Sequence, residues 1–158
     1  MHSSLQCYIR FEVVKLTLKY AIIPERKFII TEYEGDVFAS GLLDITQQLW
    51  NDPAYNIGYN FVSDVSKCHV NLSGAEIFQI LKMISSSMPP MEGKGSIVMT
   101  KNIFTSVVSM MFNNSPIARM NKVYTELEPA YKEHGFTSTE ILQYLDDERY
   151  GKYLETES

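Results

Sequence analysis

The sequence predicts a single α/β domain in which a mixed sheet of about five strands is covered by helices. Apolar residues recur at every second position in some segments and at helical spacing in others, and the two patterns alternate along the chain. Residues 15–23 and 28–33 both have strand character and only four residues separate them, so we expect an antiparallel hairpin. Later strands alternate with helices, which favours right-handed crossovers and parallel pairing. The predicted order is ββαβαβαβα.

The first helix and the third strand follow this hairpin. Helical spacing of apolar residues predicts a helix that Asp36 caps and that ends before Pro53, because proline disfavours a helical residue before it. Residues 59–64 form the predicted third strand, which ends at Asp64. The next helix begins at Ser73, and a linker over residues 85–95 follows it.

The remaining segments repeat the alternation of strand and helix. Apolar residues predict a strand over 96–99, a helix over 103–111, a strand over 117–124 and a helix over 125–134 that Gly135 closes. We divide the chain into an N-terminal extension, the α/β domain and a C-terminal helical tail, which span residues 1–14, 15–136 and 137–158. The tail is amphipathic and is expected to fold back on its own domain, or to pack on a second copy in a homodimer.

Composition narrows the function classes. The 158 residues carry a net charge of −5 and no block of basic residues, so we expect no nucleic-acid partner. No apolar run approaches the roughly 20 residues that span a bilayer, and the N-terminus is a poor signal peptide. Cys7 and Cys68 make no disulfide framework. We therefore expect a cytoplasmic protein with no membrane span.

Candidate sites lie where strand ends meet helix starts in such a sheet. Three segments have this position: Gly35 and Asp36, residues 64–73, and residues 100–104, which include Thr100 and Lys101. No phosphate-binding glycine loop, nucleophile elbow or metal-ligand spacing is present in the sequence. We expect no enzyme activity, no cofactor and no metal.

Several runs in order along the chain resemble bacterial SpoIIAA-like proteins of the STAS and SEC14-type fold group. They are Tyr33-Glu-Gly35, the run from Leu49-Trp-Asn-Asp-Pro to Tyr55, Tyr59-Asn60, Ser63-Asp-Val65, and Glu92-Gly-Lys-Gly95. The resemblance covers about residues 17–134. It implies a STAS-like fold and a module that binds a protein partner rather than an enzyme.

The resemblance also implies a regulatory position. The related anti-sigma-factor antagonists are switched by phosphorylation of a serine at the start of the helix after the third strand. Ser73, followed by Gly74, occupies that place here, and Asp64 lies at the end of the preceding strand. The antagonists carry an Asp-Ser-Ser-Gly type of run, whereas this chain has Asn71-Leu-Ser-Gly.

Each of these residues also has a purely structural interpretation. Ser73 and Glu76 have the spacing of a capping box, which Thr125–Glu128 and Thr137–Glu140 repeat. Asp64 is typical of a turn-forming aspartate. The structural interpretation is the more frequent one for both Ser73 and Asp64.

The second hypothesis is a carrier of a small apolar ligand or lipid. SEC14 proteins hold lipids in an apolar cavity, and methionine and aromatic residues are abundant in this chain. The predicted pocket lies between sheet and helices, near Trp50, Phe61, Phe104 and Met111. The leading hypothesis remains a protein-interaction module that is switched at Ser73.

Overall fold

The structure is a computed structural model, and it describes residues 14–101 and 121–157. The predicted helix over 103–111 lies outside these ranges, as do residues 117–120 of the predicted fifth strand and residues 1–13 of the N-terminal extension.

A single mixed sheet of six strands organises the described chain. Its order is β5-β4-β3-β2-β1-β6. Strands β2 to β5 pair in parallel, and β1 pairs antiparallel with both β2 and β6. The α/β class, the antiparallel hairpin and the parallel pairing that the sequence predicts are confirmed. The strands are β1 (Lys15–Ile23), β2 (Phe28–Asp36), β3 (Asn60–His69), β4 (Gly95–Val98), β5 (Asn121–Tyr124) and β6 (Gly151–Glu157).

In the part of the chain that the structure describes, four helices cover the two faces of this sheet. Alternate residues of β1 point to opposite faces, so Leu18 packs with Ile45 of α1 while Ile23 packs with Ile141 of α4. Helices α1 and α2 share the first face, and α3 and α4 share the second. The helices are α1 (Ala39–Trp50), α2 (Gly74–Ser87), α3 (Leu127–Glu133) and α4 (Ser138–Asp146), with a 3-10 turn at Pro24–Arg26.

The β1–β2 hairpin depends on two special backbone positions. Lys27 closes the turn with a φ of 49°, in the left-handed region. Gly35 has a φ of 108°, and a Cβ atom there would lie 2.3 Å from the carbonyl oxygen of Lys15. A side chain at position 35 would therefore force β1 and β2 apart.

Two predicted helix caps are wrong. Asp36 is the last residue of β2, and α1 is preceded by Phe38, which makes no side-chain cap. The pairing of β2 with β3 continues to Asp36 opposite His69, and it keeps Asp36 extended. Helix α3 begins after Glu126 without a side-chain cap, so Thr125 and Glu128 form no capping box.

The sequence predicted a helical C-terminal segment, but only the first half of the segment is a helix. Its first half is α4, whose N-cap Thr137 accepts a hydrogen bond from the backbone N–H of Glu140, as predicted. Its second half is β6, which pairs with β1 so that Leu154 lies opposite Leu18. Ile141 and Leu145 of α4 are buried in the core of the same chain. The segment therefore completes the sheet and one of its faces.

No helix in residues 14–101 and 121–157 combines the length and the apolar composition that a bilayer crossing requires.

Candidate functional site

A largely apolar cavity lies on the α1/α2 face of the sheet. Its volume is about 260 Å³. The centres of β2, β3 and β4 form its floor, and α1 and α2 form its two walls. This volume exceeds the roughly 150 Å³ of an engineered apolar cavity that stays dry and binds benzene in another protein. The cavity is therefore large enough for a small organic molecule.

The floor is built by strand alternation. Ile29, Thr31 and Tyr33 of β2 point to this face, and Ser63 lies opposite Thr31 in the next strand. Small side chains at the centre of the floor leave space that a larger apolar pair would occupy. The other floor residues are Phe61 and Val65 of β3 and Ile97 and Met99 of β4.

The two walls pack to different extents. Helix α1 buries Ile45 and Leu49 fully against the sheet. Helix α2 is 14 residues long and Ile80 is its one fully buried residue. The other apolar residues of α2 that line the cavity, Ile77, Leu81 and Ile84, are only half-buried. The cavity therefore exists because α2 covers the sheet without filling the space beneath it.

Four hydroxyl groups on the lining form two pairs. Thr31 Oγ1 donates to Ser63 Oγ at 2.8 Å, and the hydroxyls of Tyr33 and Thr46 lie 3.0 Å apart. The phenol of Tyr55 donates to the sulfur of Met91. No Lys, Arg, His, Asp or Glu lines the cavity among the residues that the structure describes. The lining is therefore uncharged.

The ionisable groups of the lining stay neutral at physiological pH. Burial raises the pKa of Tyr33, of Tyr55 and of the Cys68 thiol to about 12 each. A thiol with so high a pKa is a poor nucleophile. Cys68 contributes apolar surface to the cavity.

The structure brings together half of the pocket residues that the sequence predicted. Trp50 and Phe61 line the cavity. Phe104 and Met111 lie outside the described residues. Thr31 and Ser63 were not predicted as pocket residues, because small polar residues within a strand usually indicate its solvent face. The signal was their spacing, since Thr31 lies between Ile29 and Tyr33 at the strand period.

Asp64 does not end the third strand, because β3 continues to His69. Its side chain is 1% exposed, and one carboxylate oxygen accepts hydrogen bonds from the backbone N–H and the hydroxyl of Ser66. These bonds support a bulge where the register of β3 shifts against β2. The turn-like bonding expected of Asp64 is present, but inside a strand.

Burial is the main reason that the pKa of Asp64 is raised, and the charge of Glu32 adds to it. Oδ2 of Asp64 is buried without a hydrogen-bond partner. Lys67 forms an ion pair with Glu32 at 2.6 Å. The positive charge of Lys67 lowers the pKa of Asp64 and so opposes the effects of burial and of Glu32. Asp64 also contributes to the raised pKa of Tyr131, whose main cause is burial. This cluster faces α3, away from the cavity.

Ser73 is exposed at the N-cap of α2 and forms a complete capping box. Its hydroxyl accepts from the backbone N–H of Glu76 at 3.2 Å, and the Glu76 carboxylate accepts from the backbone N–H of Ser73 at 3.3 Å. The Ser73 hydroxyl also donates to that carboxylate at 3.0 Å. The predicted cap is confirmed, and Gly74 is the first residue of α2.

Thr100 and Lys101 follow β4 at the same edge of the sheet. Thr100 contributes to a second depression of about 420 Å³, together with residues 66–71 at the end of β3. Lys101 is exposed. His69 and Cys68 are neighbours there, yet residues 14–101 and 121–157 contain no group of three His, Cys, Asp or Glu side chains that could hold a metal ion.

Comparison with known proteins gives no relative for this chain. No protein-family model, no curated protein and no solved structure matches it.

Proposed function

We propose that this protein binds a small, uncharged apolar molecule in the cavity between the sheet and helices α1 and α2, without converting it. The cavity itself is the observation that carries the proposal, because sheets and their covering helices usually pack closely and rarely leave an apolar pocket of this size between them. Ligand sites are concave and mostly apolar, with a few polar groups.

The lining supports an uncharged ligand. A carboxylate or an ammonium group that entered the cavity would lose its hydration and meet no opposite charge among the described lining residues. Neutral hydroxyls and apolar side chains remain as partners. The volume of about 260 Å³ lies just below the range of roughly 300–1,000 Å³ for sites that bind drug-sized molecules. The ligand is accordingly a small molecule or one end of an apolar chain.

The proposal that the protein is not an enzyme rests on the same residues. The Cys68 thiol is neutral, and the hydroxyls that line the cavity are bonded to one another or to the Met91 sulfur rather than to a base. The resemblance to SpoIIAA-like proteins adds support, because their SEC14 relatives hold lipids. A STAS-like identity of the fold belongs to this proposal, and the parallel order from β2 to β5 is in keeping with it.

Trp50 gives a direct test, because it is the only tryptophan of the chain and it lines the cavity. Titration with a medium-chain alkene is expected to change the emission of Trp50 in a saturable way. Leu81→Phe narrows the cavity and should abolish this response. Gln79→Phe, on the exposed side of α2, is the matched control and should retain it.

A response that does not saturate, or that Leu81→Phe leaves unchanged, would reject the cavity as the binding site. Native mass spectrometry of protein from its own host, after mild extraction, supplies the physiological ligand. We expect an adduct of small-molecule mass that Leu81→Phe does not carry.

We propose a second function at Ser73, because its hydroxyl is exposed at the start of a helix. A phosphate there would be favoured by the helix dipole, but it would meet the Glu76 carboxylate that now bonds the hydroxyl. Phosphorylation would therefore break the capping box. On the same helix Phe78 is 44% exposed and offers an apolar contact for a protein partner.

Intact-mass analysis of protein from its own host tests this second function. A phosphorylated fraction that fragmentation assigns to Ser73 is expected, together with different partner recovery by Ser73→Asp and Ser73→Ala. No phosphorylated fraction, combined with equal recovery by both variants, would exclude the switch.

A further inference from the structure

Ser63 has an unusual position for a serine. It lies at the centre of the cavity floor, between Thr31 of β2 and Ile97 of β4, and it is half-buried. Apolar residues surround it along its own strand, since Phe61 and Val65 also line the cavity. A valine would suit this site if packing alone mattered.

The hydroxyl of Ser63 has an unused hydrogen-bond donor. A hydroxyl group carries one hydrogen and two acceptor lone pairs. Ser63 accepts from Thr31 at 2.8 Å, which leaves its own hydrogen unused. That hydrogen has no acceptor in the part of the chain that the structure describes. The bond from Thr31 also polarises the Ser63 hydroxyl and makes it a better donor.

A bound water would be a poor partner for this donor. Buried waters typically make about three hydrogen bonds. Beside Ser63 a water would reach Thr31 as its second partner and would otherwise face apolar surface. A ligand oxygen needs only one bond here, because the rest of the ligand contacts the apolar lining.

We propose that the ligand of this cavity carries an uncharged acceptor oxygen, of the carbonyl type, that accepts a hydrogen bond from Ser63. This inference rests on the proposed binding function and names the ligand class more closely. A carboxylate is excluded from the class because one neutral donor does not replace its hydration. A pure hydrocarbon fits the space but leaves the donor unpaired.

The second hydroxyl pair on the lining is the less accessible one. Tyr33 and Thr46 also share one hydrogen bond, but both side chains are buried, at 7% exposure each, whereas Ser63 is half-buried. Of the four paired residues, Ser63 alone is not fully buried, and its hydroxyl is therefore open to a ligand. Ser86→Ala, on the exposed side of α2 and outside the cavity lining, makes the same serine-to-alanine change and is the matched control.

The experiment compares two isosteric probes by isothermal titration. They are hexyl methyl ketone and the alkene in which a methylene group replaces the carbonyl oxygen. Ser63→Ala is expected to weaken ketone binding about three- to tenfold, the range for one neutral hydrogen bond, and to leave alkene binding within about twofold. Ser63→Thr keeps a hydroxyl and should restore the ketone affinity, and Ser86→Ala should change the affinity for neither probe.

Each other outcome contradicts the inference in a distinct way. Equal effects of Ser63→Ala on both probes would leave the binding function intact and remove the assigned hydrogen bond. An equal loss of ketone affinity in Ser86→Ala would show that the effect does not arise in the cavity. Tighter binding of the carboxylate of equal chain length would reject an uncharged ligand. If neither probe binds the wild-type protein, the proposed function and this inference both fail.

Discussion

The two faces of the sheet are covered by helices in opposite ways. On the α3/α4 face, Phe28 stacks on Phe136 with ring centroids 4.5 Å apart, and the guanidinium of Arg26 lies 4.1 Å from the Phe136 ring centroid. Tyr144 closes this stack edge-on. On the α1/α2 face, small hydroxyl residues occupy the middle of the sheet and α2 spans a cavity. The α3/α4 face is therefore closely packed, whereas the α1/α2 face contains a cavity.

This difference in packing indicates which face of the sheet can bind a ligand. On a close-packed face, a smaller or a larger side chain lowers stability. On a face with a cavity, a smaller side chain costs less stability and a larger one can be accommodated. Opposite responses to matched substitutions on the two faces would establish the distinction.

The largest expected effect is on the filled face. Phe136→Ala removes a 5% exposed ring from the stack and should lower the free energy of unfolding by about 3–5 kcal/mol. Ile84→Ala, on the cavity wall, should cost less than half as much because Ile84 is half-buried. Urea denaturation of both variants measures the two values. Equal losses would mean that the faces are packed alike.

A larger side chain should change stability in opposite directions on the two faces. Leu145→Phe overpacks the filled face at a residue that is 3% exposed and should destabilise by about 1–3 kcal/mol. Leu81→Phe adds the same atoms over the cavity and should stabilise the ligand-free protein by about 0.5–1 kcal/mol. Thermal denaturation without ligand provides the comparison. Destabilisation by Leu81→Phe would contradict an empty space beneath α2.

The N-caps of α2 and α4 allow the helices on the two faces to be compared. Ser73→Ala and Thr137→Ala each remove a side-chain cap, at a cost of about 1 kcal/mol. Because α2 is loosely packed, we expect Ser73→Ala to speed hydrogen exchange within the first turns of α2 and to lower global stability only slightly. Thr137→Ala should lower global stability, since α4 is part of the core. The reverse pattern would show that α2 is the better-anchored helix.

The smallest effect concerns Asp64 and is pH-dependent. The pKa of the Asp64 carboxyl is raised in the folded protein. The stability that this carboxyl contributes is therefore complete below its pKa in the unfolded chain, near 3.8, and is lost as pH rises through its pKa in the folded protein. Asp64→Asn mimics the protonated form at every pH. Its stability relative to wild type should therefore increase as pH rises above about 4.

Denaturant titrations at several pH values measure this difference, and titration of His134 cancels because both proteins contain it. Glu32 favours the raised pKa and Lys67 opposes it. A stability difference that does not change with pH would show that Asp64 stays ionised throughout.

Much of the fold followed from periodicity, because each predicted element has an apolar face of regular spacing. The order of strands and helices through β4 and the capping box of Ser73 were predicted in this way. Strand β6 was missed because most of its residues are exposed at the edge of the sheet, and Leu154 alone gives little alternation. Asp64 was misplaced because aspartate usually ends strands, whereas here it supports a bulge.

The cavity could be predicted only in part. Trp50 and Phe61 were expected in a pocket because aromatic residues cluster near the first helix–strand connection. Ser63 and Thr31 were not, since a void arises from how α2 lies over the sheet. No local sequence pattern encodes that distance. The function of a floor residue becomes visible only when its neighbours in three dimensions are known.

Diffraction from crystals pressurised with xenon is the most direct test of the central claim, because xenon enters apolar cavities without needing a specific ligand. We expect a xenon atom between the sheet and α2, in contact with Ile80 and close to Ser63, and none between Phe28 and Phe136. An α1/α2 face without xenon, or xenon bound only on the α3/α4 face, would contradict it.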